Sequence, residues 1–271
     1  TCALPISGAQ GHGRFASLDD DRIAGTLAKG LMILDSFGPD DEFLGNQDIC
    51  RRTGLSGPTV SRLVYTLTAF GYLESVPRLR KFRLGNAPLA LAKTKMSRVH
   101  FHTLARPLMQ EVVDSVGGVL LLGGSAGDDM VCLEVLRSSD AVTISVEVGT
   151  RVPMATSAFG RAYLAALDPK AQAEAFRRLE IAHGADWKEL ERGIMEAARQ
   201  IDRLGFCVSQ GLWKRDVSAV GVPFRDVRTG SIFSFSCGAP QFLMSSRVLR
   251  SKTGPALVRM VETLARQYMP V

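Results

Sequence analysis

Thr59, Ser61, Arg62 and Tyr65 bring hydroxyls and a guanidinium together at a spacing that a helix would turn to its open side. Between them, Val60, Leu63, Val64 and Leu67 recur at i, i+3, i+4 and i+7, the pattern of a buried helical face. The chemistry on offer is hydrogen bonding rather than bond making. Such donors and acceptors reach phosphate oxygens and base edges, and a DNA major groove is wide enough to admit the helix. Ser56 and the basic residues on either side, Arg51, Arg52, Arg78, Arg80 and Lys81, extend the same surface.

Charge sharpens that reading. Residues 44–100 hold ten Lys/Arg against two acids, Asp48 and Glu74, whereas the whole 271-residue chain has a formal net charge of only +6, so the remainder is slightly acidic. Positive charge concentrated on the segment with the reading geometry is the electrostatic footprint of a phosphate-binding surface. Two packed helices and a solvated hairpin in an ordinary core would not require that asymmetry.

Other chemistry has little to work with. The five cysteines (Cys2, Cys50, Cys132, Cys207, Cys237) are scattered through apolar segments without a CxxC pair, and no His stands in an evident motif with Cys132, Cys207 or Cys237. They read as reduced core residues of a cytoplasmic protein, and no catalytic residue is assigned. His100 and His102 are two apart and do not share a helix face, so no metal and no cofactor is expected. No apolar run approaches the ~18 residues that span a bilayer, so no membrane partner is expected.

Particular elements must position the reading residues. In Thr53-Gly54-Leu55-Ser56, Gly54 can take the φ > 0 conformation that ends one helix and Ser56 can cap the next, while Pro58 falls in the first turn, where its missing N–H costs nothing. Beyond Gly71, Phe82 and Leu84 alternate with Lys81 and Arg83 after a turn at Val76-Pro77, which predicts a β-hairpin; a basic hairpin following such a helix is a wing. Upstream, Thr26 is placed to cap a helix carrying Leu27, Leu31, Leu34 and Phe37, and Asn46 to cap the short helix before the turn. Residues 86–98 and 102–116 read as helices, the first a linker and dimer contact, the second kinked or late to start at Pro107. Thr1 to Ile6 matches no targeting pattern and is expected to be translated sequencing-adapter sequence fused to a truncated frame; residues 1–18 make a disordered or artefactual lead-in.

From Gly117 the texture changes. Residues 119–125, 130–137 and 141–148 are β-rich runs separated by turns, helices are predicted at about 157–167, 170–179 and 187–204, and strands return at 206–209, 217–224 and 231–237 before a last helix at about 245–267. Six strands with helices in this order form an α+β domain rather than a βαβ series. At 46% hydrophobic residues, each of two domains can bury a core.

Taken together, the chain resembles the IclR-type bacterial transcription regulators from about Thr26 to Ala265. The resemblance is carried by Thr26-Leu27-Ala28-Lys29-Gly30-Leu31, Arg52-Thr53-Gly54-Leu55-Ser56, Thr59-Val60-Ser61-Arg62-Leu63, Tyr72-Leu73 and Phe82-Arg83-Leu84-Gly85. In the second half it is carried by Gly149-Thr150-Arg151-Val152-Pro153, Ala158-Phe159-Gly160-Arg161-Ala162, Gly205-Phe206, Ala219 to Pro223 and Cys237-Gly238. It implies a winged helix-turn-helix DNA-binding domain (19–85), a linker helix (86–99) and a GAF-like effector-binding and oligomerisation domain with a six-stranded antiparallel sheet (100–271). It also implies a double-stranded DNA operator as partner and a homodimer or dimer of dimers. The family's effector positions, carried over, are Ala158, Phe159, Ser209, Ala219, Phe235 and Cys237. The sequence departs from the family pattern at Ala155, where a His is usual, at Ser209-Gln210-Gly211, where an acidic run is usual, and at Pro58, which leaves DNA binding intact.

The residues themselves add a ligand class. Ser157 can cap the helix that follows, whose free N–H groups and dipole favour an anionic group, and Phe159 and Phe235 supply apolar wall. A small organic acid with an apolar or aromatic body is therefore the expected effector. Two alternatives compete with a ligand-controlled regulator. A winged-helix protein-interaction module without specific DNA binding is opposed by the surplus of Arg and Lys on the helix and wing. A small-molecule-processing enzyme lacks a nucleophile with a positioned base.

Overall fold

The structure, a computed structural model, describes residues 21–97, 99–139 and 144–268. The expected lead-in at 1–18, with its adapter-like start, lies outside the described residues. The chain divides into two compact units, one ending at residue 98 and the other beginning at residue 99. No helix among the described residues is long and apolar enough to cross a membrane.

In the first unit, α1 (Gly25–Asp35), α2 (Asn46–Thr53) and α3 (Gly57–Ala69) bury Ile33, Ile49, Val60 and Val64 in one core with Leu44 and Leu73. Gly54 takes φ 72°, ending α2 as expected, and the backbone of Ser56 is the N-cap of α3. Thr26 and Asn46 are not caps: α1 already begins at Gly25, and α2 is capped by Gly45, whose N–H donates to the Asp48 carboxylate at 3.1 Å. β1 (Leu73–Val76) and β2 (Lys81–Leu84) form the antiparallel hairpin, and Leu44 pairs with Phe82 as a third, one-residue strand. The loop between them ends on Arg80, which adopts a left-handed φ of 52° although it is not glycine. α4 (Ala87–Met96) follows with no buried residue.

In the second unit, α5 (His102–Val116) runs through Pro107 rather than starting after it. The carbonyl that the missing N–H would have used belongs to exposed Thr103, where water can take its place. β3 (Val119–Ala126), β4 (Asp129–Arg137), β5 (Arg151–Pro153), β6 (Cys207–Gln210), β7 (Val217–Arg225) and β8 (Ile232–Pro240) form a six-stranded sheet in the order β5-β4-β3-β8-β7-β6, every pair antiparallel. One face carries α5 and the last helix, α10 (Gly254–Tyr268), over a core that includes Leu120, Leu122, Val220, Phe235 and Cys237. The other face carries α6 (Ala158–Ala165), α7 (Pro169–His183) and α8 (Trp187–Leu204). A short α9 (Ser246–Val248) and a π-helical turn (Leu249–Thr253) lead into α10.

The strand expected at 141–148 does not form over the described part of that run. Of its described residues, 144–147 are irregular, and the sixth strand is instead the three-residue β5, which pairs Asp129 with Pro153 and Val131 with Arg151. Ile144 and Val146 are nevertheless buried and the residues between and after them exposed, so the alternation reported burial of one side and not strand pairing.

Candidate DNA-reading face and effector cavity

Along α3 the helical period separates the two duties of the sequence. Val60 and Val64 are buried, while Ser61, Arg62 and Tyr65 are exposed and Thr59 is partly exposed. The Ser56 hydroxyl lies 2.9 Å from that of Thr59, and the Asn46 amide donates to Ser61 at 3.3 Å, so α2 steadies one of the polar groups on α3.

The basic residues fall into two groups. Arg51 pairs with Asp48 at 2.6 Å and Arg83 with Glu74 at 2.8 Å across the hairpin. Arg52 is the most committed: it grips the Asp41 carboxylate with both terminal nitrogens and donates to the Ser36 carbonyl at 2.8 Å. That guanidinium hydrogen bond holds the Asp41 carboxyl below its ordinary pKa, opposed by burial and helped by the Gly38 N–H. Arg52 therefore clips α2 to the loop after α1. Arg62, Arg78, Arg80 and Lys81 are exposed, and no ion pair to an acid is found for them among the described residues. The unbalanced positive charge thus sits on α3 and at the wing.

In the second unit a cavity of about 30 Å³ opens between the sheet and the start of α6. Its lining follows the two-residue period of the strands: Val119 and Leu121 on β3, Val217 and Ala219 on β7, Ser236 and Gly238 on β8, and Ser209 on β6. Ser157, Ala158 and Phe159 close one side, and Ile144, Val146, Val152 and Trp213 complete the wall.

Five expected effector residues, Ser157, Ala158, Phe159, Ser209 and Ala219, are thereby brought together. Phe235 and Cys237 are not. Register sets Phe235 opposite Leu122 and Cys237 opposite Leu120, on the sheet face packed against α5 and α10, so both belong to the core behind the cavity. Their neighbours Ser236 and Gly238 face it instead. Trp213 and Val217 were also missed. A strict alternation count along β8 would have found Ser236, whereas Trp213 sits in a turn that carries no such signal.

The cavity's polar groups have a defined sense. The Ser157 hydroxyl donates to the Pro153 carbonyl at 2.6 Å and accepts from the Gly160 N–H at 3.0 Å. Ser209 donates to the Thr156 carbonyl at 3.1 Å and Ser236 to the Val220 carbonyl at 2.9 Å. Their hydrogens are committed, which leaves oxygen lone pairs for a ligand. The first-turn N–H groups of Ala158 and Phe159 have no hydrogen-bond acceptor among the described residues. Elsewhere, burial pushes the thiols of Cys132, Cys207 and Cys237 up to about 12, so at neutral pH they are protonated packing groups and not thiolate nucleophiles.

A winged helix-turn-helix unit with an unbalanced basic surface, joined in one chain to a unit with a small, mostly apolar recess, is the layout of a ligand-responsive, DNA-binding transcription regulator. The chain matches the IclR helix-turn-helix domain over residues 26–77 and the bacterial transcriptional regulator IclR C-terminal domain over residues 93–268; it belongs to the IclR family. It is 34% identical over 241 residues to the HTH-type transcriptional regulator TsaQ1/TsaQ2 of Comamonas testosteroni, covering 88% of this chain and 86% of that protein. Among solved structures, an IclR family transcriptional regulator from Brucella abortus superposes with a TM-score of 0.81 at 32% identity, over 94% of this chain and 96% of that one. An IclR homologue from Microbacterium hydrocarbonoxydans, complexed with 4-hydroxybenzoate, shares the fold with a TM-score of 0.66 at 24% identity, over 89% of this chain and 99% of that one.

Proposed function

We propose that this regulator reads its operator with Ser56 at the N-cap of α3 and Thr59, Ser61, Arg62 and Tyr65 within it, holds the phosphates with Arg51, Arg78, Arg80 and Lys81, and is controlled by a small carboxylic acid with an apolar or aromatic body. The observation that carries the ligand class is the pairing, in one cavity, of two unengaged backbone N–H groups at a helix N-terminus with walls that are mostly aliphatic and aromatic. The N–H end receives the carboxylate. The lone pairs of Ser209 and Ser236 accept from a hydroxyl on the ligand body. The Microbacterium hydrocarbonoxydans protein, similar in fold, holds an acid of this class; the proposal for this chain rests on its own cavity.

At about 30 Å³ the cavity holds roughly one water, so a benzoate-sized acid must push back its wall. Trp213 and the irregular segment 144–147 are the parts of that wall outside both the sheet ladder and α6 with its cap, and they are the ones to yield. The chain has two tryptophans, and Trp187 is buried against Phe176 with ring centroids 5.4 Å apart. In a Trp187→Phe variant the remaining emission is expected to change saturably as benzoate or 4-hydroxybenzoate is added, and the change should vanish with Ala158→Gln, which crowds the N–H end. Unchanged emission while calorimetry records binding would place the acid elsewhere.

The boundaries 19–85, 86–99 and 100–271 and the assembly into homodimers or dimers of dimers belong to the same proposal. Leu89 and Leu91 are 70% and 57% exposed on different sides of α4, and this helix buries none of its own residues within the chain, which supports its being enclosed by a second copy. Two linked readers should engage half-sites about 34 Å apart or a multiple of it. Leu89→Glu with Leu91→Glu is expected to give monomers by light scattering and to weaken operator binding by about 100-fold or more, the loss of bivalent attachment. A double variant that stays dimeric with wild-type affinity would rule out α4 as the contact.

A further inference from the structure

Arg161, on the second turn of α6, is only 6% exposed, yet no acidic side chain pairs with it among the described residues. Its Nε–H donates to the Ala155 carbonyl at 2.8 Å, and that is its one hydrogen bond there; both terminal nitrogens are left over. Across from it stands Gly193, inside the 18-residue helix α8. A Cβ at that position would lie 2.6 Å from Nη2, 2.9 Å from Cζ and 3.0 Å from Nη1, so no side chain larger than hydrogen leaves the guanidinium its place. Glycine weakens a helix interior, so its place here is explained by the room it makes for this group. With Nε engaged, Nη1 and Nη2 remain, two parallel donors matched to two oxygens. Burial pushes the guanidinium's pKa down, and the neighbouring Cys207 thiol, being protonated, brings no charge to oppose this. An arginine cannot escape by giving up its proton at neutral pH, and the described residues offer this one no counter-charge, so an anion from outside is the group that would complete it.

We propose that Arg161 is the centre of an anion site, separate from the effector cavity, that takes a carboxylate or another small planar oxyanion on the outer edge of its guanidinium. Arg161 is not among the residues lining the cavity, so the site stands whether or not the cavity binds an aromatic acid.

The test is thermal unfolding of the full chain in HEPES at fixed ionic strength, with and without sodium formate. Formate is expected to raise the melting temperature of the wild type by about 2–6 °C near saturation. Arg161→Met should lose that shift and melt higher than the wild type without formate, because an unpaired buried charge has gone. Arg161→Lys, which keeps the charge but not the paired edge, should show a reduced shift and serves if the Met variant does not fold. Equal shifts in the wild type and either variant would overturn the proposal. So would an Arg161→Met variant destabilised to the same extent with and without formate, the mark of a packing role alone. Ala158→Trp fills the cavity; a formate response that disappears there while Arg161 is intact would put the anion in the cavity and also overturn it. If aromatic acids leave Trp213 emission unchanged but the Arg161-dependent formate shift persists, the cavity reading falls and this one holds.

Discussion

Replacing Gly221 by alanine is expected to lower the melting temperature of the second unit by roughly 6–12 °C and to abolish effector binding. A Cβ at Gly221 would stand 2.1 Å from the Ala158 carbonyl oxygen, 2.6 Å from its carbon and 3.1 Å from the Ala162 Cβ. Two of those atoms are backbone, so no side chain can turn aside; the start of α6 has to lift from β7. Overpacking of this kind costs about 1–3 kcal/mol and more where backbone must move. The same displacement carries the Ala158 and Phe159 N–H groups away from the cavity, so binding of a carboxylate is lost together with stability. Calorimetric unfolding of the full chain and titration with benzoate check both parts. A variant that melts within a degree of the wild type and still binds would show that α6 is not held by this close approach.

Arg62→Ala is expected to weaken binding to the cognate operator by about 5- to 150-fold, the equivalent of about 1–3 kcal/mol for a lost bidentate contact to a base edge, and to relax preference at one position of the site. Arg62 is exposed on α3 without an acidic partner among the described residues, so its removal disturbs no ion pair of the fold. Arg80→Ala at the wing should behave differently, weakening all duplexes alike and reducing the salt slope by about one. Binding measured from low to high salt on operator and unrelated DNA separates the two effects. Wild-type affinity for both variants at every salt concentration would remove this face from DNA recognition.

How far the sequence disclosed these sites depends on how local each signal was. The turn at Gly54, the buried stripe of α3 and the basic hairpin are set by neighbours within a few residues, and the structure contains all three. The burden carried by Arg52 could not be read that way, because Asp41 lies eleven residues upstream and only the packing of α2 on the loop after α1 brings them together. In the second unit, composition revealed five of the six strands of the sheet. The third run failed because Ile144 and Val146 alternate for the sake of the cavity wall, while β4 takes its partner from beyond Gly149. Phe235 and Cys237 were placed on the right strand and the wrong face, since the side of a sheet depends on register with β3 and register is not written in either strand alone. Arg161 gave a faint signal, a charge within the apolar run Ala158-Phe159-Gly160-Arg161-Ala162; its meaning needed Gly193, thirty-two residues away.

The sheet of the second unit has one consequence for how such a regulator diversifies. Val119, Leu121, Val217, Ala219, Ser236 and Gly238 face the cavity, while Leu120, Leu122, Val220, Phe235 and Cys237, interleaved with them on the same strands, face the packed core. With the effector bound as proposed, ligand preference and folding are written in alternate letters of the same words. A lineage can rewrite Ala219, Ser236 and Gly238 to follow a new ligand while the second set goes on specifying the domain, and the genetic distance between two ligands can be as short as one codon in every two.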